Sequence, residues 1–136
     1  MVLQENYKVI SDVIEYNELN LYVIAPGIVV SEYKADFELD LDFALEINSK
    51  IGELTKGKAM PQLFIDCPGL SVSKEVREWG VTEVANQYTL TSAVVCNLLS
   101  HRILGNFLIK VQRPPRPTKM FSSMNGAIDW LCASIQ

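Results

Sequence analysis

The spacing of apolar residues changes several times along this chain, and each change marks an element. Between residues 7 and 34 the apolar positions form short runs broken by turn formers. Val9, Ile10, Val13, Ile14 and Tyr16 open the region, and Asn17-Glu18-Leu19-Asn20 reads as a turn. Residues 21–25 and 28–33 flank Pro26-Gly27. They form either a hairpin or one long strand bulged at Pro26-Gly27. Proline offers no N–H to a central ladder, so that site belongs at an edge or a bulge. From Leu41 the period becomes three and four: Leu41, Ala44, Ile47, Ile51 and Leu54, with Phe43 beside them, predict a helix. Asp40 is its expected N-cap, Asp42 suits the positive end of its dipole, and Lys56-Gly57-Lys58 ends it.

Residues 60–67 (MPQLFIDC) carry the unbroken apolar triplet Leu63-Phe64-Ile65, the signature of a strand covered on both faces. Pro68-Gly69 stops it. Ser71 or Ser73 is then expected to cap a helix running to about Gln87, with Glu75 in its first turn and Val76, Trp79 and Val84 approximating one face. Gly80 weakens that helix by about 1 kcal/mol relative to Ala. Residues 90–99 (LTSAVVCNLL) read as a second doubly covered strand. Residues 101–111 predict a helix with Ile103, Leu104, Phe107, Leu108 and Val111 inward. Pro114, Pro115 and Pro117 prevent its continuation. A short strand over 119–121 follows, and Ser122 or Ser123 caps a last helix bearing Ala127, Trp130 and Leu131. The order β, β, β, α, β, α, β, α, β, α implies an α/β fold with right-handed crossovers. The expected architecture is a mixed, mostly parallel central sheet with an N-terminal antiparallel β-hairpin and about four helices, in one domain over residues 1–136.

Composition narrows the function classes. With 136 residues, 49% hydrophobic and 21% charged, the chain is long and apolar enough to fold around its own core. A net charge of -4 gives no argument for nucleic acid. Its distribution says more: eleven of sixteen acids lie in residues 1–54, and only Asp129 follows Glu83. Arg102, Lys110, Arg113, Arg116 and Lys119 therefore form a basic stretch without intervening acid, a candidate rim for contacting anions. It lacks interleaved stacking aromatics and any DNA or RNA motif, so a solvated rim is the plainer reading. Cys67, Cys96 and Cys132 are scattered, with no CxxC pair, which suits a reducing, cytoplasmic setting. The start, MVLQENYK, carries no signal-peptide pattern, and no apolar run approaches the ~18–20 residues of a membrane span. No membrane insertion is expected.

Several segments together resemble a known family. They are Phe64-Ile65-Asp66 followed by a loop and a Ser-started helix, the apolar strand after it, and GNFLIKVQRPPRPTKMF. Within and after the last lie Asn106-Phe107, the Pro114–Pro117 turn, Lys119-Met120-Phe121 and Ala127-Ile128-Asp129-Trp130-Leu131. The chain looks like a SpoIIAA-like domain, similar to the small bacterial proteins grouped near the STAS domains (sulfate transporters and anti-sigma-factor antagonists). The resemblance covers nearly the whole length. It implies a non-catalytic regulatory or protein-interaction module, with a protein partner or a second copy of the chain as its partner. The antagonists carry a phosphorylatable serine in a D-S-S-G pattern after a strand ending in aspartate. Here the strand ends at Asp66 and the loop reads Cys67-Pro68-Gly69-Leu70-Ser71-Val72-Ser73-Lys74-Glu75, without D-S-S-G. These domains also resemble Sec14-like lipid carriers. That likeness implies the alternative function: a small-molecule or lipid binder with an apolar pocket between helices and sheet, for which Trp79, Phe107 and Phe121 are the candidate lining residues.

The residues themselves offer little reactive chemistry. A phosphate on Ser71 or Ser73 would meet a helix N-terminus, but an ordinary N-cap is the simpler role. Asp66, at the C-terminal end of a central strand, lies where open α/β sheets place ligands; its plainer task is to hold the following loop through backbone N–H groups. With Ser71, Ser73 and Lys74 it forms the candidate ligand or partner surface. His101 is the only histidine, and Cys96, five residues upstream, is expected to point away from it. No metal ligand set, no cofactor loop and no catalytic constellation is read, so an enzyme is not expected.

Overall fold

The computed structural model describes residues 7–135. The first six residues and Gln136 lie outside them, and so does most of the segment read for a signal peptide. Eight strands occur among the described residues: β1 (Ile14–Glu15), β2 (Leu19–Ile24), β3 (Ile28–Tyr33), β4 (Glu38–Leu39), β5 (Met60–Ile65), β6 (Ser71–Val72), β7 (Thr89–Val95) and β8 (Thr118–Phe121). Four helices join them: α1 (Leu41–Leu54), α2 (Lys74–Trp79), α3 (Leu99–Gln112) and α4 (Met124–Ala133).

Six strands form one sheet in the order β1-β2-β3-β5-β7-β8. The β1-β2 and β2-β3 pairs are antiparallel; β3-β5, β5-β7 and β7-β8 are parallel. The mixed, mostly parallel sheet with an N-terminal hairpin is therefore as expected. Of the two readings of Pro26-Gly27, the hairpin is correct: Ile24 pairs with Ile28, and Gly27 N donates to Ile24 O at 2.8 Å. A second sheet of two short parallel strands, β4 and β6, was not expected.

Alternation along each strand divides the core. One set (Tyr22, Ile24, Ile28, Val30, Leu63, Ala93 and Val95) packs against Ala127, Ile128 and Leu131 of α4. The other (Leu19, Leu21, Val23 and Val29) packs with Ala44, Ile47 and Ile51 of α1 and Val76 of α2. Burying an aliphatic side chain of this kind contributes about 1.5–3 kcal/mol, so these two layers dominate stability. Caps fix the helix starts. Asp40 Oδ1 accepts from Phe43 N at 2.9 Å, and Ser123 Oγ accepts from Gly126 N at 3.2 Å. Helix α1 ends where Lys56 and Gly57 turn left-handed (φ 55° and 78°) and Gly57 N returns to Gly52 O.

Two expected helices are corrected. The segment capped by Ser73 is helical only to Trp79, not to Gln87. Beyond Gly80, side chains take over the carbonyls that a helix would use. Thr82 Oγ1 donates to Trp79 O, and Asn86 Nδ2 donates to Gly80 O and Thr82 O, each within 2.8 Å. Helix α3 starts at Leu99, two residues early, because β7 ends at Val95. More consequentially, none of its residues is buried. Ile103, Phe107 and Val111, expected inward, are 62%, 52% and 62% exposed. Their face turns away from the sheet, while Leu104, Gly105, Leu108 and Ile109 border a cavity beneath the helix. Among the described residues no helix is long and apolar enough to cross a membrane.

Candidate functional site

The parallel register of β5 and β7 builds the site. Ile65 pairs with Val95, so the next residues on each strand, Asp66 and Cys96, leave the sheet side by side at its C-terminal edge. Asp66 N donates to Val95 O and Cys96 N to Phe121 O, which fixes both backbones. Val95 and Ile65 face α4, so alternation sends Asp66 and Cys96 to the opposite face. There the chain turns at Asn97-Leu98 into α3, whose first turn carries His101 back over them. His101 Nδ1 donates to Asp66 Oδ2 at 2.6 Å, and Cys96 Sγ donates to the same oxygen at 3.1 Å and to Leu98 O at 3.3 Å. The three ligand atoms lie within 4.8 Å of one another.

This overturns two expectations. Cys96 and His101 do not point apart, because a helix that begins four residues after the strand folds back over the strand's end. Asp66 binds two side chains rather than the backbone of its loop. Burial, then the Asp66 carboxylate, pushes the Cys96 thiol upward; the Arg102 guanidinium opposes this. Burial and Asp66 raise the Cys67 thiol too, and its Sγ lies 3.3 Å from Ala35 O. A raised thiol stays protonated, so neither cysteine is primed as a nucleophile.

Asp66, Cys96 and His101 line a cavity of about 430 Å³. Its other walls are Leu70, Ser71, Val72 and Arg77, then Val94, Thr118 and Met120 of the sheet, and the inner side of α3. Two further cavities lie beside it: one of about 270 Å³ runs under α1 and α2, one of about 290 Å³ lies between the main sheet and the β4-β6 pair, and Val94 borders all three. Trp79 borders the first of these and also packs against the α1 core. Phe107 lines none of the three, and Phe121 lies against the α4 core, 5.7 Å from the Trp130 ring.

The other anticipated residues are spread out. Ser73 Oγ is occupied as the α2 N-cap, accepting from Val76 N at 3.2 Å. Ser71 sits in β6 at the cavity, and Lys74 is exposed beside Glu78. Arg102 and Arg113 stand at opposite ends of α3, about 16 Å apart at the helical rise, too far to grip one small anion. Arg102 Nε is buried without a hydrogen-bond partner. Lys110 is exposed in the last turn of α3, and Arg113 caps it in a left-handed conformation (φ 49°). Arg116 is tied to Thr89 O and Glu83, and Lys119 lies 5.3 Å from the Phe121 ring centre. Sequence reasoning missed the Asp66–Cys96–His101 cluster. Asp66 and Cys96 each directly follow a strand and His101 lies in the first turn of the next helix, positions that only the strand order brings to one edge.

A sheet with this strand order, helices on both faces and an antiparallel start is SpoIIAA-like. The crystal structure of an uncharacterized protein from the DUF3478 family, with a SpoIIAA-like fold, from Shewanella loihica PV-4 superposes with a TM-score of 0.53. The match covers 93% of this chain and 95% of that one at 12% identity, a likeness of fold. Residues 22–134 match the family model described as domain of unknown function DUF7793, and the chain belongs to that family. No curated protein matches it.

Proposed function

We propose that the protein is a non-catalytic binding module that takes a small molecule, with an apolar body and a polar end, into the groove between α3 and the sheet. The observation that carries this reading is the cavity of about 430 Å³. Its size falls within the roughly 300–1,000 Å³ of small-molecule sites. Its walls are mostly apolar, and a few polar groups (Asp66, Ser71, Arg77, His101) converge within it, the pattern that orients a ligand. Helix α3 serves as the lid. The test is titration with a dansyl-labelled fatty acid, alongside native mass spectrometry of the purified chain. Saturable binding, weakened in Leu108→Trp, which narrows the cavity, supports the reading. Absence of binding, or equal binding by Leu108→Trp, removes it.

A second reading, docking of a protein on α3, is favoured by its exposed stripe of Leu99, Ile103, Phe107 and Val111. Such a partner, or a second copy of the chain, is the regulatory role implied by the fold resemblance. Sedimentation over a range of concentrations tests self-association: a dimer that Ile103→Lys abolishes supports it, and a monomer throughout argues against it.

A further inference from the structure

We propose that Asp66, Cys96 and His101 form a zinc site with an open fourth position facing the cavity under α3. The inference rests on the geometry of three side chains and stands apart from the small-molecule reading. Three donor atoms of different kinds, one oxygen, one sulfur and one nitrogen, converge within 4.8 Å. Zinc bond lengths of about 2.0–2.3 Å at tetrahedral angles put ligand atoms roughly 3.3–3.6 Å apart. The observed 2.6 and 3.1 Å contacts to Asp66 Oδ2 are shorter, as expected when protons rather than an ion join the three. Reaching coordination distance lengthens these two contacts by less than about 1 Å, while the thiol and imidazole, already within 4.8 Å, settle at the same spacing by carboxylate and imidazole rotation. On binding, the Cys96 thiol gives up its proton to solvent and the neutral imidazole carries its single proton on Nε2, which frees Sγ and Nδ1 to bind the ion beside Asp66 Oδ2.

The donor set selects the metal. Calcium and magnesium demand oxygen donors throughout, which a thiolate and an imidazole do not supply. Thiolate with imidazole and one carboxylate suits zinc, in the three-ligand arrangement that leaves a coordination position free. All three residues line the cavity. A water, or the polar end of a molecule in the groove, completes the tetrahedron. The backbone supports the site: Asp66 and Cys96 are each pinned by a strand hydrogen bond, and only His101 rides on the less anchored α3.

Cobalt(II) reports the thiolate directly. Titration of the full-length chain with cobalt is expected to give one equivalent of a near-ultraviolet thiolate-to-metal band and the strong visible bands of a tetrahedral ion. Zinc should displace both. Cys96→Ser is expected to lose the thiolate band, whereas Cys67→Ser and Cys132→Ser retain it. Loss of a supporting residue beyond the ligands already costs about 10–100-fold in metal affinity, so His101→Gln and Asp66→Asn are expected to weaken zinc by more than roughly 100-fold. His101 is on a helix with no buried residue, so its variant carries the test if Cys96→Ser does not fold. Absence of a stoichiometric thiolate band in the unmodified chain overturns the proposal. So does a band that survives in Cys96→Ser, or zinc affinity unchanged in His101→Gln. Dansyl fatty acid titration in chelator-treated buffer keeps the two readings separable, because a groove without a metal still binds the probe.

Discussion

The attachment of α3 can be tested through one hydrogen bond. This helix has no side-chain N-cap bond and no buried residue, so little of its own surface ties it to the sheet. Its first turn is held by the 2.6 Å bond from His101 Nδ1 to Asp66 Oδ2, whose side chains are 27% and 15% exposed. A hydrogen bond to a charged group contributes about 1.5–3 kcal/mol. Replacing His101 with alanine therefore makes opening of α3 roughly 10- to 150-fold more frequent. Native-state hydrogen exchange reads this segment by segment. Backbone amides of 103–112 are expected to exchange faster by that factor in His101→Ala. Those of α1 and β2, whose protection depends on the buried layers, are expected to stay unchanged. A double-mutant cycle with Asp66→Ala should return a coupling of the same size. If exchange rises equally in α1 and α3, or in neither, then the bond does not hold the helix and the lid role fails with it.

Three further outcomes follow from other parts of the fold. Burial raises the Glu32 carboxyl above its ordinary value, although Tyr22 and Lys34 pull it down. The folded chain thus keeps that proton to higher pH than the unfolded chain, and stability from this group is lost as pH rises through the folded-state value. Glu32→Gln should raise the thermal midpoint more near pH 7 than near pH 4, and an equal gain at both would contradict the assignment. Gly69 has φ +87°, and an added Cβ would lie 2.6 Å from Asp36 Cγ. Gly69→Ala is expected to lose about 1–2 kcal/mol from the backbone alone, measured by urea unfolding. Ile103→Lys and Val111→Lys, on the outer face of α3, should each change stability by no more than about 0.5 kcal/mol, whereas Leu131→Ala in the α4 core should lose about 2–5 kcal/mol. Comparable losses in all three would place the α3 stripe in the core after all.

The strands and α1 were legible because each is decided locally. Leu63-Phe64-Ile65 is apolar on both faces wherever it packs, and Asp40 sits one residue before a regular helical stripe. Helix α3 shows where this stops. Periodicity reveals an apolar stripe but not what it faces, and Ile103, Phe107 and Val111 satisfy the pattern while turned outward. The expected helix to Gln87 failed because Thr82 and Asn86 compete for carbonyls, a choice invisible in hydrophobic spacing. The Asp66–Cys96–His101 cluster depends on which strand neighbours which, and in what register. Thirty residues separate the aspartate from the cysteine, and nothing local in the sequence encodes that pairing.

The ends of the sheet have a consequence for how the chain behaves when crowded. Its long ladders, β2, β3, β5 and β7, are all interior, and the outermost strands have only two and four residues. Beyond β1, the outer side of β2 is bonded to residues 8 and 10, and β8 carries Lys119 directly after the proline-rich turn. A short, charged border offers a poor template for another chain's backbone, which guards against edge-to-edge aggregation. Among the described residues, copies that meet in concentrated solution find only short edges to extend.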